Sequence, residues 1–135
     1  MNKLRKILLV DDDEHTNFLN KAIITHARFA EEVIAQMTAE EALAYIRDHQ
    51  ASGDLPDLIF LDINMPLMDG WEFMQEYAQM FLDDNTPKVI MLTSSINPKD
   101  EQRAQKLEGL SGFRSKPLSS EVLEEIYHEH FTAAV

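Results

Sequence analysis

Four places in this chain carry polar side chains that could act together on one ligand. Asp11, Asp12 and Asp13 stand in a row directly after the apolar run Ile7–Val10. Asp62 directly follows a second run, Leu58–Leu61. Thr93, Ser94 and Ser95 follow a third, Val89–Leu92, and Lys116-Pro117 follows a weaker segment around Phe113. Carboxylates drawn together repel one another unless a cation sits among them. A hard divalent ion with oxygen ligands, magnesium above all, is the natural partner. A lysine adds a fixed positive charge, and a hydroxyl adds a donor. Together such groups cradle phosphoryl oxygens, and an aspartate on a rigid strand end can serve as a nucleophile that forms an aspartyl phosphate.

These residues span more than a hundred positions, so the fold must bring them together. The runs Ile7–Val10, Leu58–Leu61 and Val89–Leu92 do not alternate with polar residues, which marks strands buried on both faces of a parallel sheet. Val33–Ala35 and the segment around Phe113 are flanked by polar residues and suit the sheet's edges. Five helical patterns lie between and after the strands. The first follows Asp13 and Glu14 and carries Phe18, Leu19, Ala22 and Ile23 as its apolar stripe. The second opens on Thr38-Ala39-Glu40-Glu41, a capping box, and continues with Ala42, Leu43 and Ile46. The third starts near Asp69 and carries Phe73, Met74, Tyr77 and Phe81. The fourth starts with Asn97-Pro98, and the fifth follows Ser119 or Ser120 with Val122, Leu123 and Ile126. Leu118 and Leu123 could form a hydrophobic staple. Gln50–Asp54 reads as an exposed loop and Thr132–Val135 as a tail.

Five repeated β-α units predict an α/β fold with helices on both faces of a parallel sheet. In such a sheet the carboxyl ends of the strands share one edge, and ligands bind there. At 135 residues, the units consume nearly the whole chain and predict a single domain over 1–135.

Composition narrows the classes further. Hydrophobic residues make up 44% and charged residues 27%, a globular balance. The net charge of −12 disfavours contact with a nucleic-acid backbone. No stretch approaches the ~20 apolar residues that span a bilayer, and no signal peptide is evident, so a cytoplasmic location is expected, with no membrane partner. The absence of cysteine excludes disulfides and thiolate metal sites.

The chain resembles the receiver domain of bacterial two-component response regulators. The resemblance covers about residues 5–131. It rests on Ile7-Leu8-Leu9-Val10-Asp11-Asp12, on Asp57 to Pro66 with Met68-Asp69-Gly70, on Met91-Leu92-Thr93-Ser94, and on Phe113-Arg114-Ser115-Lys116-Pro117. It implies a doubly wound (βα)5 fold, a flavodoxin-like three-layer sandwich with strand order 2-1-3-4-5. It implies that Asp62 is the phosphoacceptor and that Asp12 ligates magnesium directly, with Asp11 acting mostly through water. Asp62 itself and the main-chain carbonyl of Asn64 would complete the metal site. Manganese is expected to substitute for magnesium. Thr93 would be the switch hydroxyl, Phe113 the aromatic switch, and Lys116 the lysine that pairs with a phosphoryl oxygen. The Lys116–Pro117 bond is expected to be cis.

The implied function is that of a stand-alone, chemotaxis-regulator-like phosphoprotein in a phosphorelay. It would take its phosphoryl group from a sensor histidine kinase or a histidine phosphotransfer protein. A downstream protein would then read the face formed by the fourth helix, fifth strand and fifth helix. Such a protein is not an enzyme beyond catalysing its own phosphoryl transfer and autodephosphorylation. Two departures stand out. Asp13 makes a third acid in a row and reads as the start of the first helix, and Ser94 stands where alanine or glycine is more frequent.

Two other readings use the same residues. A pseudo-receiver would be a phosphorylation-independent interaction module, and it should bind little magnesium. A phosphohydrolase is suggested by Asp62-Ile63-Asn64, which superficially matches the Asp-x-Asp motif of haloacid-dehalogenase-like phosphatases. The second aspartate is missing, and the nucleophile stands on the third strand. Taken singly, the aspartates read as turns or caps, Thr93–Ser95 as a polar loop and Lys116-Pro117 as a turn. His15 and His26 read as surface or partly buried groups, Trp71 as a packing residue, and Glu121, Glu124, Glu125 and Glu129 as a solvated face.

Overall fold

The computed structural model describes residues 3–80, 86–94 and 97–131. Within them the elements run β1 (Leu4–Val10), α1 (Glu14–His26), β2 (Ala30–Gln36), α2 (Ala39–Ser52), β3 (Leu58–Leu61), α3 (Gly70–Met80), β4 (Lys88–Thr93), α4 (Pro98–Gln105), β5 (Gly112–Ser115) and α5 (Ser120–His130). All strand pairings are parallel and the order is β2-β1-β3-β4-β5, so the polar-flanked strands do form the edges.

The unbroken apolar runs are explained by two cores, one on each sheet face. Leu8, Val10, Ile59, Leu61, Val89 and Met91 face α2, α3 and Ala104 of α4. Ile7, Leu9, Leu58, Phe60, Ile90 and Leu92 face α1 and α5. Each such side chain stabilises the fold by about 1.5–3 kcal/mol relative to leaving it in water.

Helix starts follow their cap residues. Asp13 caps α1 by accepting from the His15 N–H, and Thr38 caps α2 by accepting from Glu41. Asn97 and Ser119 cap α4 and α5. Asp69 and Glu72 exchange side-chain-to-backbone hydrogen bonds of 2.9 and 3.2 Å at the start of α3. Leu118 and Leu123 are both buried across the α5 cap.

Two expectations are corrected. The Gln50–Asp54 segment is largely helical: α2 runs through Ser52 and stops at Gly53, whose φ of 74° is the left-handed conformation that glycine adopts without strain. The predicted apolar stripe of α1 is not its buried face. Phe18 is 70% and Leu19 45% exposed, Ala22 is exposed and Ile23 half-buried, whereas Asn17, Asn20 and Ile24 are buried. Asn17 anchors that orientation by donating to the main-chain carbonyl of Asp11 (2.8 Å), so hydrogen bonding and not hydrophobicity sets the rotation of the helix's first turns. Phe81 and the Thr132–Val135 tail lie outside the described residues.

β1 also buries a charge that the apolar pattern did not suggest. Lys6 is 2% exposed, and its ammonium donates to the Tyr45 hydroxyl (2.8 Å) and the Asp54 carboxylate (2.9 Å). Burial opposes its charge, but these two partners outweigh it and hold the amine above its usual range.

Candidate functional site

The strand ladder builds the site. The Asp62 N–H donates to the Val10 carbonyl (2.9 Å), the Asp11 N–H to Gln36 (3.2 Å), and the Lys116 N–H to Thr93 (2.7 Å). These bonds tie β1 to β2 and β3 and tie β4 to β5, and the β3–β4 pairing joins the two sets, which puts Asp11, Asp62, Thr93 and Lys116 on one edge. One oxygen each of Asp11, Asp12 and Asp62 falls within 4.8 Å of the others. Asp11 and Asp62 are buried, and Asp12 is exposed.

The Asp11 carboxylate is fixed from two sides. One oxygen accepts from the Asp13 N–H (2.9 Å), and the other from the Lys116 ammonium (2.8 Å). The same ammonium lies 3.4 Å from Asp62. Burial pushes the Asp62 carboxyl up to about 6; the negative charge of Asp11 adds to the rise, and Lys116 opposes it. Lys116 is itself held above its usual range: burial pulls it down, and the hydrogen bond to Asp11 and the charge of Asp62 more than compensate. Lys116–Pro117 is a cis peptide bond, as the resemblance implied.

Thr93 ends β4 and is wholly buried. Phe113 lies opposite Met91 on β5, one alternation before the Thr93–Ser115 pair. Its ring is half-buried, beside a groove lined by Ala104, Gln105 and Leu110. Asn64 is exposed, two residues beyond Asp62 in the loop to α3. Asp13 caps α1 and donates its N–H toward Asp11, so it supports the acidic pair as a helix start does.

Gly70 contributes in a way its sequence position alone did not reveal. Its N–H donates to the Ile63 carbonyl (2.7 Å), folding the loop back over Asp62. A Cβ there would lie 2.6 Å from the Asp62 carbonyl oxygen and 2.9 Å from the Ile63 Cα, so only glycine fits. In the same loop Leu67 has a φ of 70° and is 91% exposed.

Trp71 is buried at the start of α3, with the Arg103 guanidinium of α4 stacked 4.3 Å from its ring centre. His15 and His26 are exposed. Glu125 and Glu129 are not merely solvated, since each accepts from Arg114 at 2.8 Å.

The donor set suits a hard cation: three carboxylates converge at one sheet edge, with the lysine ammonium already neutralising part of their charge. Residues 7–128 match the family model of the response regulator receiver domain. The chain is 34% identical to a two-component response regulator from Cytophaga hutchinsonii of known crystal structure, with a TM-score of 0.88 over 94% of this chain and 96% of that one. It is 31% identical to the rice two-component response regulator ORR41, covering 90% of each. It is 33% identical to the hybrid signal transduction histidine kinase L of Dictyostelium discoideum over 96% of this chain, which spans 7% of that protein's length.

This chain belongs to the response regulator receiver domain family. Receiver domains take phosphoryl groups from histidine kinases or phosphotransfer proteins and bind magnesium at an acidic pocket, and the Asp11–Asp12–Asp62 cluster could hold such a metal. Among the described residues no helix is long and apolar enough to cross a membrane.

Proposed function

We propose that Asp62 accepts a phosphoryl group from a phosphohistidine on a sensor histidine kinase or histidine phosphotransfer protein. The ionised carboxylate attacks phosphorus, a P–O bond forms, and the P–N bond to imidazole breaks with its electron pair leaving on nitrogen. The observation that carries this reading is the placement of one lysine ammonium against both buried carboxylates, 2.8 Å from Asp11 and 3.4 Å from Asp62. Such a pocket is charged for an incoming anion as well as for a cation.

Asp11, Asp12, Asp62 and the carbonyl of Asn64 are the residues that would hold magnesium, with manganese able to replace it. When bound, that ion supplies positive charge for phosphoryl oxygens. Lys116 supplies a second positive charge to those oxygens and keeps Asp11 in place. Thr93 turns its hydroxyl toward the new phosphoryl group, and Phe113 moves inward beside the groove at Ala104 and Leu110. The α4–β5–α5 face then differs between two states, and a downstream protein reads the difference. The whole unit works as a single receiver domain in the cytoplasm, whose only catalysis is on its own phosphoryl group.

Binding of beryllium fluoride, a mimic of the phosphoryl group, tests the reading. With magnesium present, it should perturb the amide resonances of Asp62, Thr93 and Phe113 together. A protein that binds neither magnesium nor the fluoride is a pseudo-receiver.

A further inference from the structure

Asn17 and Asn20 are buried one turn apart on the face of α1 that packs against the hydrocarbon of β1, β3 and β4. Asparagine belongs in such a layer only where both ends of its amide are hydrogen-bonded. The Asn17 Nδ2 donates to the Asp11 carbonyl at 2.8 Å, but its Oδ1 is buried with no partner among the described residues. Asn17 and Asn20 line a small, partly open cavity of about 10 Å³ together with Asp11, Asp62, Phe60 and Leu92. That space matches one water molecule, and the lining supplies the polar partners a buried water requires.

We propose that this cavity is a binding site for a single structural water, which donates to the Asn17 Oδ1 and hydrogen-bonds the Asp11–Asp62 pair from behind, making Asn17 a positioning residue for the acidic pocket. The water site stands on the cavity and the orphaned oxygen; its effect on the pocket rests on the metal reading proposed above. Water and Asn17 together tie α1 to the strand end that carries Asp11, while Asp13 and Lys116 hold the same side chain from the solvent side. Outer partners of this kind typically change metal affinity by about 10–100-fold when removed.

The test uses the intact chain without metal, followed by magnesium titration. In the wild type, water–protein cross-relaxation spectra should show a long-lived water at the Asn20 side-chain amide, which lines the same cavity and is kept in every variant. Asn17→Leu fills the cavity with hydrocarbon and removes the donor to the Asp11 carbonyl, so the water signal should vanish and the thermal midpoint should fall, while circular dichroism shows that the protein still folds. Magnesium affinity measured by calorimetry should fall about tenfold in that variant. Asn17→Ser, whose hydroxyl can donate to the carbonyl and accept from water, should recover both the water signal and most of the affinity. A purely structural role would leave magnesium affinity unchanged in a folded Asn17→Leu protein, and that result overturns the positioning role. A wild type without the long-lived water overturns the site. A wild type that shows the water but binds no magnesium contradicts the metal reading instead and leaves the water site established.

Discussion

The ammonium of Lys116 donates to the Asp11 carboxylate across 2.8 Å, although 105 residues separate the two in the chain. The parallel sheet makes that contact, since it sets the ends of β1 and β5 on one edge with β3 and β4 between them. Because the same ammonium also lies 3.4 Å from Asp62, it is a built-in counter-ion that a divalent cation must share the pocket with.

It follows that Lys116→Met should bind magnesium more tightly than the wild type, by several-fold, because a competing positive charge is removed. The same variant should respond more weakly to beryllium fluoride at saturating magnesium. Calorimetric titration reads the first effect, and amide shifts at Thr93 and Phe113 read the second. Weaker magnesium binding in the variant would contradict the counter-ion role.

Without metal, Asp62 makes stability depend on pH with a definite sign. The folded protein holds the Asp62 proton up to about pH 6, whereas its ordinary value is 3.8. Between those values the folded state binds more protons than the unfolded one. The stabilising contribution is therefore complete below about pH 4 and is lost as pH rises through about 6. Asp62→Asn removes the penalty of a crowded, buried carboxylate. In chelator, the variant should be more stable than the wild type by about 2 kcal/mol at pH 7.5, and the gap should close toward pH 4. Urea unfolding of both proteins across that range checks the difference; a gap that widens toward low pH would contradict it.

Gly70→Ala should destabilise the protein by about 1–3 kcal/mol, because the new methyl group meets the Asp62 carbonyl at 2.6 Å and the backbone must shift. The shift displaces the strand end that carries Asp62, so magnesium affinity should fall as well. Gly53→Ala serves as the control: its Cβ meets nothing within 4 Å and only the φ of 74° is strained. It should cost stability without altering magnesium affinity.

The parts of this fold that depend on hydrophobic pattern were readable directly. Ile7–Val10, Leu58–Leu61 and Val89–Leu92 are buried on both faces, and their unbroken apolar character follows from the two cores. Thr38, Asn97 and Ser119 mark helix starts because cap chemistry is local. The convergence of Asp11, Asp62 and Lys116 was legible once parallel strands were assigned, since their carboxyl ends share an edge. The face of α1 was misread for a physical reason. Phe18, Leu19, Ala22 and Ile23 form the more hydrophobic stripe, but the Asn17 bond to the Asp11 carbonyl turns Asn17 and Asn20 inward. Lys6 escaped notice because its partners, Tyr45 and Asp54, lie on α2 and in the loop before β3, and no local spacing links them. Gly70 needed the loop's path over Asp62 before its lack of a side chain had a cause.

The most direct test of the central claim is the intact mass of the protein after incubation with magnesium and acetyl phosphate, beside the Asp62→Asn variant. One added phosphoryl group on the wild type, dependent on magnesium and absent from the variant, is the predicted result. An adduct of equal yield on Asp62→Asn would contradict Asp62 as the acceptor.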